Sequence, residues 1–149
     1  ASNAEGIAIL RDETAFSDGA ITWNTEHSLN PKRRGYLTVN VNNSPGKAQA
    51  GVGADGVYRD PWCNPYIISL DLNGDDRCRD AFYGQPAVSS LNPGNANETR
   101  GRNGLSRSPE AKAFELNGGV MVWSLGQDSM ADASQPSTAK PNRDNILSW

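Results

Sequence analysis

The sequence predicts an α+β domain in which a short N-terminal helix precedes a small antiparallel sheet with long loops. Three observations lead there. Ile7, Ile9 and Leu10 combine with Ala4 and Ala8 in a short, weakly amphipathic helical pattern at the start of the chain. Two runs of β-formers follow much later, Pro65 to Leu72 and Gly119 to Leu125. Around them Gly, Asn, Asp, Ser and Pro abound, and hydrophobic residues make up only 36% of the chain, so ordered loops should outweigh regular elements.

Taken in order, Ala4 to Asp12 reads as the tail of a longer helix. Asp18-Gly19 breaks it, and residues 20–35 lack a period and read as loop. Tyr36 to Val41 alternates apolar and polar side chains, as a short strand or extended arm would. Asn42 to Gly56 is turn-rich, with Gly46, Gly51, Gly53 and Gly56. Pro65 to Leu72 is the clearest strand and runs into Asn73-Gly74, the strongest short hairpin signal. Arg77 to Tyr83 is then expected to return against it. Residues 84–119 read as a long loop or insert, with one helical turn over Pro109 to Phe114. After the strand at 119–125, residues 127–142 are too poor in apolar side chains to order themselves. Ile146, Leu147 and Trp149 are the expected anchors.

All 149 residues fit one domain, 1–149, with residues 1–4 compatible with a cloning scar and 127–144 forming a C-terminal loop. A formal net charge of −3 leaves no footprint for nucleic acid, and the basic run Lys32-Arg33-Arg34 reads as a solvated loop. No stretch approaches the length of a membrane span. Cys63 and Cys78 are too few for a zinc site, and either a disulfide or two free thiols is compatible with the spacing.

Catalytic signals are weak. His27 is the only histidine, with no cysteine nearby in sequence and no Gly-x-Ser-x-Gly elbow anywhere in the chain. Gly51-Val52-Gly53-Ala54-Asp55-Gly56 matches a phosphate-binding string, but Arg59-Asp60-Pro61 cannot open the helix that chemistry requires. No enzyme is expected. Calcium is the one ligand with a signal. Asp71, Asn73 and Asp75 place oxygens at alternate positions, as the start of a Ca²⁺ loop does, although the sixth and twelfth positions, Asp76 and Phe82, exclude an EF-hand. Asp128 and Asp132, and then Asp144 with Asn145, bracket the polar C-terminal segment, where a hard cation held by carboxylates and carbonyls would order a chain unable to bury enough surface.

Asp60-Pro61-Trp62-Cys63-Asn64-Pro65-Tyr66 resembles the Asp-Pro-Trp-Gly-Asn-Pro-Tyr signature of major pseudopilins of the type II secretion system. Ser124-Leu125-Gly126-Gln127-Asp128 and Asn145-Ile146-Leu147-Ser148-Trp149 resemble that family's Ser-Leu-Gly-x-Asp-Gly and Asp-Ile-x-x-Trp blocks. The resemblance implies a pilin-like fold, a membrane-anchoring helix upstream of Ala4, and a non-catalytic subunit of a pseudopilus that serves protein secretion. Its partners would be copies of itself, other pseudopilins and the secretion machinery. Its place would be the periplasmic or extracellular face, anchored in the inner membrane of a Gram-negative-type cell before assembly. It also implies calcium in the C-terminal loop, with ligand roles for the Leu125 carbonyl and the Asp128 side chain, and Asp144 and Asn145 as the downstream candidates. This chain departs from the pattern at Cys63 and Ser129, where the blocks have glycine, at Asn145, where they have aspartate, and in the hairpin and insert at 71–119. The rival readings are a type IV pilin-like fibre or adhesin subunit, and a soluble carbohydrate-active or binding module.

Overall fold

A computed structural model describes residues 2–42, 49–108, 110 and 112–149 of the chain. The fold is α+β, with few helices and several small sheets. It divides into two compact units, residues 1–66 and 67–149.

In the first unit, α1 (Ala4–Arg11) buries Ala4, Ile7 and Ala8. Its first turn is tied to the sheet by Asn3, whose Nδ2 donates to the carbonyls of Tyr58 and Tyr66 at 2.9 and 2.8 Å, and whose Oδ1 accepts from the Tyr58 amide. The helix ends where Asp12 adopts a left-handed conformation and returns its amide to Ala8 and Ile9. Strands β1 (Val41–Asn42), β2 (Gly51–Gly53) and β3 (Tyr58–Arg59) form one sheet, β1 parallel and β3 antiparallel to the central β2. The strand expected over 36–41 therefore reduces to its last residue, Val41, with Asn42. Of the turn-rich stretch, residues 43–48 with Gly46 lie outside the described residues.

The second unit holds β4 (Ile67–Leu70), β5 (Arg77–Cys78), α2 (Pro86–Ser89), β6 (Ser106–Ser108), β7 (Ala113–Asn117), β8 (Val120–Ser124) and β9 (Ile146–Leu147). They form two antiparallel sheets, ordered β4-β8-β9 and β5-β7-β6. Between the sheets and α2 lies a core of Cys78, Tyr83, Val88, Leu105, Phe114, Met121 and Trp123. Asp80 is buried inside it and fully satisfied. It accepts from Ser69 Oγ (2.8 Å), Trp123 Nε1 (3.1 Å) and the amides of Phe82 and Tyr83 (both 2.9 Å).

The expected hairpin at Asn73-Gly74 does not form. Ile67 to Leu70 pair with Trp123 to Val120, and Arg77 and Cys78 pair with Asn117 and Leu116, so β4 and β5 line up successively along one returning run. The amide of Asp71 donates to the Gly119 carbonyl and that of Gly118 to the Asp76 carbonyl, which makes residues 71–76 an excursion from a single edge. Asp71 closes that excursion. Its Oδ1 accepts from the amides of Asn73 and Gly74 and its Oδ2 from that of Asp76, bringing the chain back beside its point of departure.

The stretch 84–119 is also more structured than a loop. It contributes α2, β6 and β7, and with them Val88, Leu105 and Phe114 of the core. Where a helical turn was expected, Pro109 and Ala111 lie outside the described residues, and Ala113 and Phe114 are strand. Among the C-terminal anchors, Leu147 and Trp149 pack on the core, whereas Ile146 is 51% exposed.

Candidate functional site

Two loops carry the sequence motifs, one in each unit. In the first, Asp60 is buried, and its carboxylate builds the turn around itself. Oδ1 accepts from the amides of Trp62 (2.9 Å) and Asn64 (2.8 Å), and Oδ2 from Asn64 Nδ2 (3.1 Å). The Asp60 amide donates to the Asn64 carbonyl, and the Cys63 amide to the Asp60 carbonyl. Closing a turn this tightly forces Cys63 to φ +74°, a left-handed value that glycine adopts without strain. Trp62 is 43% exposed, and Tyr66 is half-buried against Tyr58 with ring centroids 4.8 Å apart. Buried polar groups shape this loop.

The C-terminal loop is assembled by the β8–β9 pairing. Ser124 stands opposite Ile146, so residues 125–128 leave one strand where 144–145 enter the other. The approach is close, since a Cβ on Gly126 would lie 2.1 Å from the Asp144 carbonyl oxygen, and Gly126 has φ +65°. Only glycine fits there. The Asp128 amide donates to Asp144 Oδ2 at 3.2 Å, and Asp128 Oδ1 accepts from the Met130 amide at 2.9 Å. Ser129 follows with φ +58°. Asp128 and Asp144 line an open cavity of about 250 Å³ together with Gln127, Lys140 and Arg143, and neither carboxylate is in a salt bridge among the described residues.

Asn145 turns the other way, toward the core. Its Nδ2 donates to Tyr83 Oη at 2.9 Å, while its Oδ1 is buried with no hydrogen-bond partner among the described residues. Burial pushes the Tyr83 phenol up to about 12, so it stays protonated. Leu125 packs beside the core, and neither it nor Asn145 lines the cavity. All four predicted residues are thus gathered at one end of β8–β9, two facing solvent and two facing inward.

Sequence reading did not find what holds the rest of the loop. Asn142 is buried and acts as its hub, donating from Nδ2 to the carbonyls of Asp132 (2.8 Å) and Gln135 (2.9 Å) and accepting the Asp132 amide on Oδ1 (2.7 Å). The Ser137 amide also donates to the Val88 carbonyl. An asparagine in a polar run carries no local mark of such a role.

The donors at the C-terminal site suit a hard cation. They comprise two carboxylates and nearby main-chain carbonyls, which is oxygen chemistry throughout, whereas the Asn145 side chain faces the core and lies outside that set. Among the described residues no three His, Cys, Asp or Glu side chains are grouped to hold a metal, so most ligands there would be neutral oxygens. The Asp71, Asn73, Asp75 candidate suits a cation less well. Asp75 Oδ1 accepts from the Arg77 amide and Oδ2 from Asn73 Nδ2, so with Asp71 every carboxylate oxygen of that set already serves the loop.

His27 Nδ1 lies 2.7 Å from Asp12 Oδ1, an arrangement that holds the loop after α1. Cys63 and Cys78 are both free, and burial pushes the Cys78 thiol up. No helix among the described residues is long and apolar enough to cross a membrane. No protein-family model matches the chain, and neither curated proteins nor solved structures give a match.

Proposed function

We propose that this chain is a structural subunit of a pseudopilin-type filament, pilin-like in fold, which assembles with copies of itself for type II protein secretion. One observation carries the reading. The resembling blocks have glycine at three positions, and at all three this backbone is left-handed: Cys63 at +74°, Gly126 at +65° and Ser129 at +58°. Two of the glycines are gone, yet the conformation that favours glycine remains. Agreement in backbone where the side chains differ supports a shared loop geometry more strongly than the matching letters do.

In this reading the Leu125 carbonyl, Asp128 and Asp144 hold calcium, which when bound ties the polar loop to the end of β8–β9, while Asn145 braces that end from the core side through Tyr83. The chain itself supplies no chemistry. It presents a rigid surface that neighbouring subunits cover.

Deleting the gene in its own cell and comparing periplasm with medium tests this. The expected result is retention of folded exported proteins in the periplasm, reversed by the wild-type gene. An unchanged medium with loss of surface fibres would move the chain to the adhesin reading. No change in either would remove both.

A further inference from the structure

The loop between α1 and β1 is built inside out. Its buried side chains are polar: Thr22, Asn30 and, at 0% exposure, Asn24. Each is used. Asn24 Oδ1 accepts from the amides of Leu29 and Asn30, and its Nδ2 donates to Asp12 Oδ1. Asn30 Nδ2 donates to the carbonyls of Ile9 and Arg34, and Thr22 Oγ1 to that of Glu13. The large apolar side chains point outward, with Ile21 70% and Trp23 69% exposed and Leu29 and Tyr36 also exposed. The backbone beneath them is pinned to α1, since the Trp23 amide donates to Glu5 Oε2 (2.8 Å) and the Tyr36 amide to the Leu10 carbonyl (2.7 Å). Held polar groups inside and fixed apolar groups outside define a face shaped to be covered.

The charge on this face says by what. Lys32, Arg33 and Arg34 lie between Leu29 and Tyr36 and are all exposed, and Glu26 is the only acid from residue 21 to 36, in a chain of net charge −3. Protein interfaces are depleted of lysine at their centres. A run of exposed Lys and Arg flanked in sequence by exposed Trp23 and Tyr36 suits an anionic lipid interface, where rings sit at headgroup level and the cationic heads meet phosphates. We propose that loop 21–36 is a peripheral docking surface for an anionic lipid bilayer. The proposal does not depend on filament assembly.

Cosedimentation of the chain with phosphatidylcholine vesicles, with and without phosphatidylglycerol, tests it. Binding is expected only with phosphatidylglycerol, and high salt should release it. Replacing Lys32, Arg33 and Arg34 together by alanine should lower the partition about a hundredfold. Trp23→Ser with Tyr36→Ser should also lower it, at unchanged circular dichroism, whereas Trp23→Phe should retain it. Failure to bind phosphatidylglycerol vesicles, or equal binding by wild type and both sets of variants, would overturn the proposal. So would self-association abolished by Trp23→Ser in the absence of vesicle binding, which would give the face to a second copy.

Discussion

The loop at 60–66 and the loop at 125–145 are both organised by aspartate, but they differ in how far they are finished. Asp60 is buried and receives three hydrogen bonds, all from its own turn. Asp128 is exposed and meets Asp144 through a single 3.2 Å hydrogen bond. A buried carboxylate tolerates no missing donors, because desolvation is offset only by bonds already in place. An exposed one can wait for a ligand. The first loop is a self-contained structural piece, and the second has the form of a site.

Truncating the two aspartates gives the largest contrast. Asp60→Ala removes the acceptor shared by the Trp62 and Asn64 amides and by Asn64 Nδ2, the last two of these bonds being buried, and is expected to cost about 3 kcal/mol in urea denaturation, with or without calcium. Asp128→Ala in calcium-free buffer should cost well under about 1 kcal/mol, since water replaces its lost bond. Equal costs would erase the distinction.

Calcium sharpens it next. At a hundredfold excess over the dissociation constant, calcium should stabilise the wild type by about 2.7 kcal/mol, seen as a rise in Tm that Asp128→Ala abolishes and Asp60→Asn leaves in place. A calorimetric scan without any calcium response would take the metal out of the account.

Relieving backbone strain acts alike on both loops. Cys63→Gly and Ser129→Gly should each stabilise by about 0.5–1 kcal/mol, because the left-handed cost exceeds glycine's added freedom in the unfolded chain. A loss at either position would mean that the side chain contributes more than its backbone strain removes.

The smallest effect is in acid. Hydrogen bonds from the Ser134 hydroxyl and amide hold the Asp132 carboxyl below its usual range. A depressed folded value means that this contribution is whole above the ordinary aspartate range and disappears as pH falls through the folded value. NMR titration should find Asp132 titrating low in the wild type and higher in Ser134→Ala.

The helix over the first residues and the strands near 67–70 and 120–124 were legible in the chain alone, since side-chain period and β-branching act between neighbours. So was the position of Asp128 and Asp144 at the two ends of one polar run, which the structure brings together at the end of β8–β9. Pairing was not legible. Asn73-Gly74 is a correct turn signal, but Asp71 draws its loop shut upon itself, and β4 and β5 both find the 116–123 run, whose apolar side chains cover the core. The stretch 84–119 looked formless because its strands gain their value only when Phe114 and Leu105 meet Tyr83 and Met121. Asn142 became a hub for the same reason, as a polar side chain acquires its meaning from the carbonyls that folding sets around it. Local sequence selects the conformations a segment prefers, and burial over long separations decides which partners those segments keep.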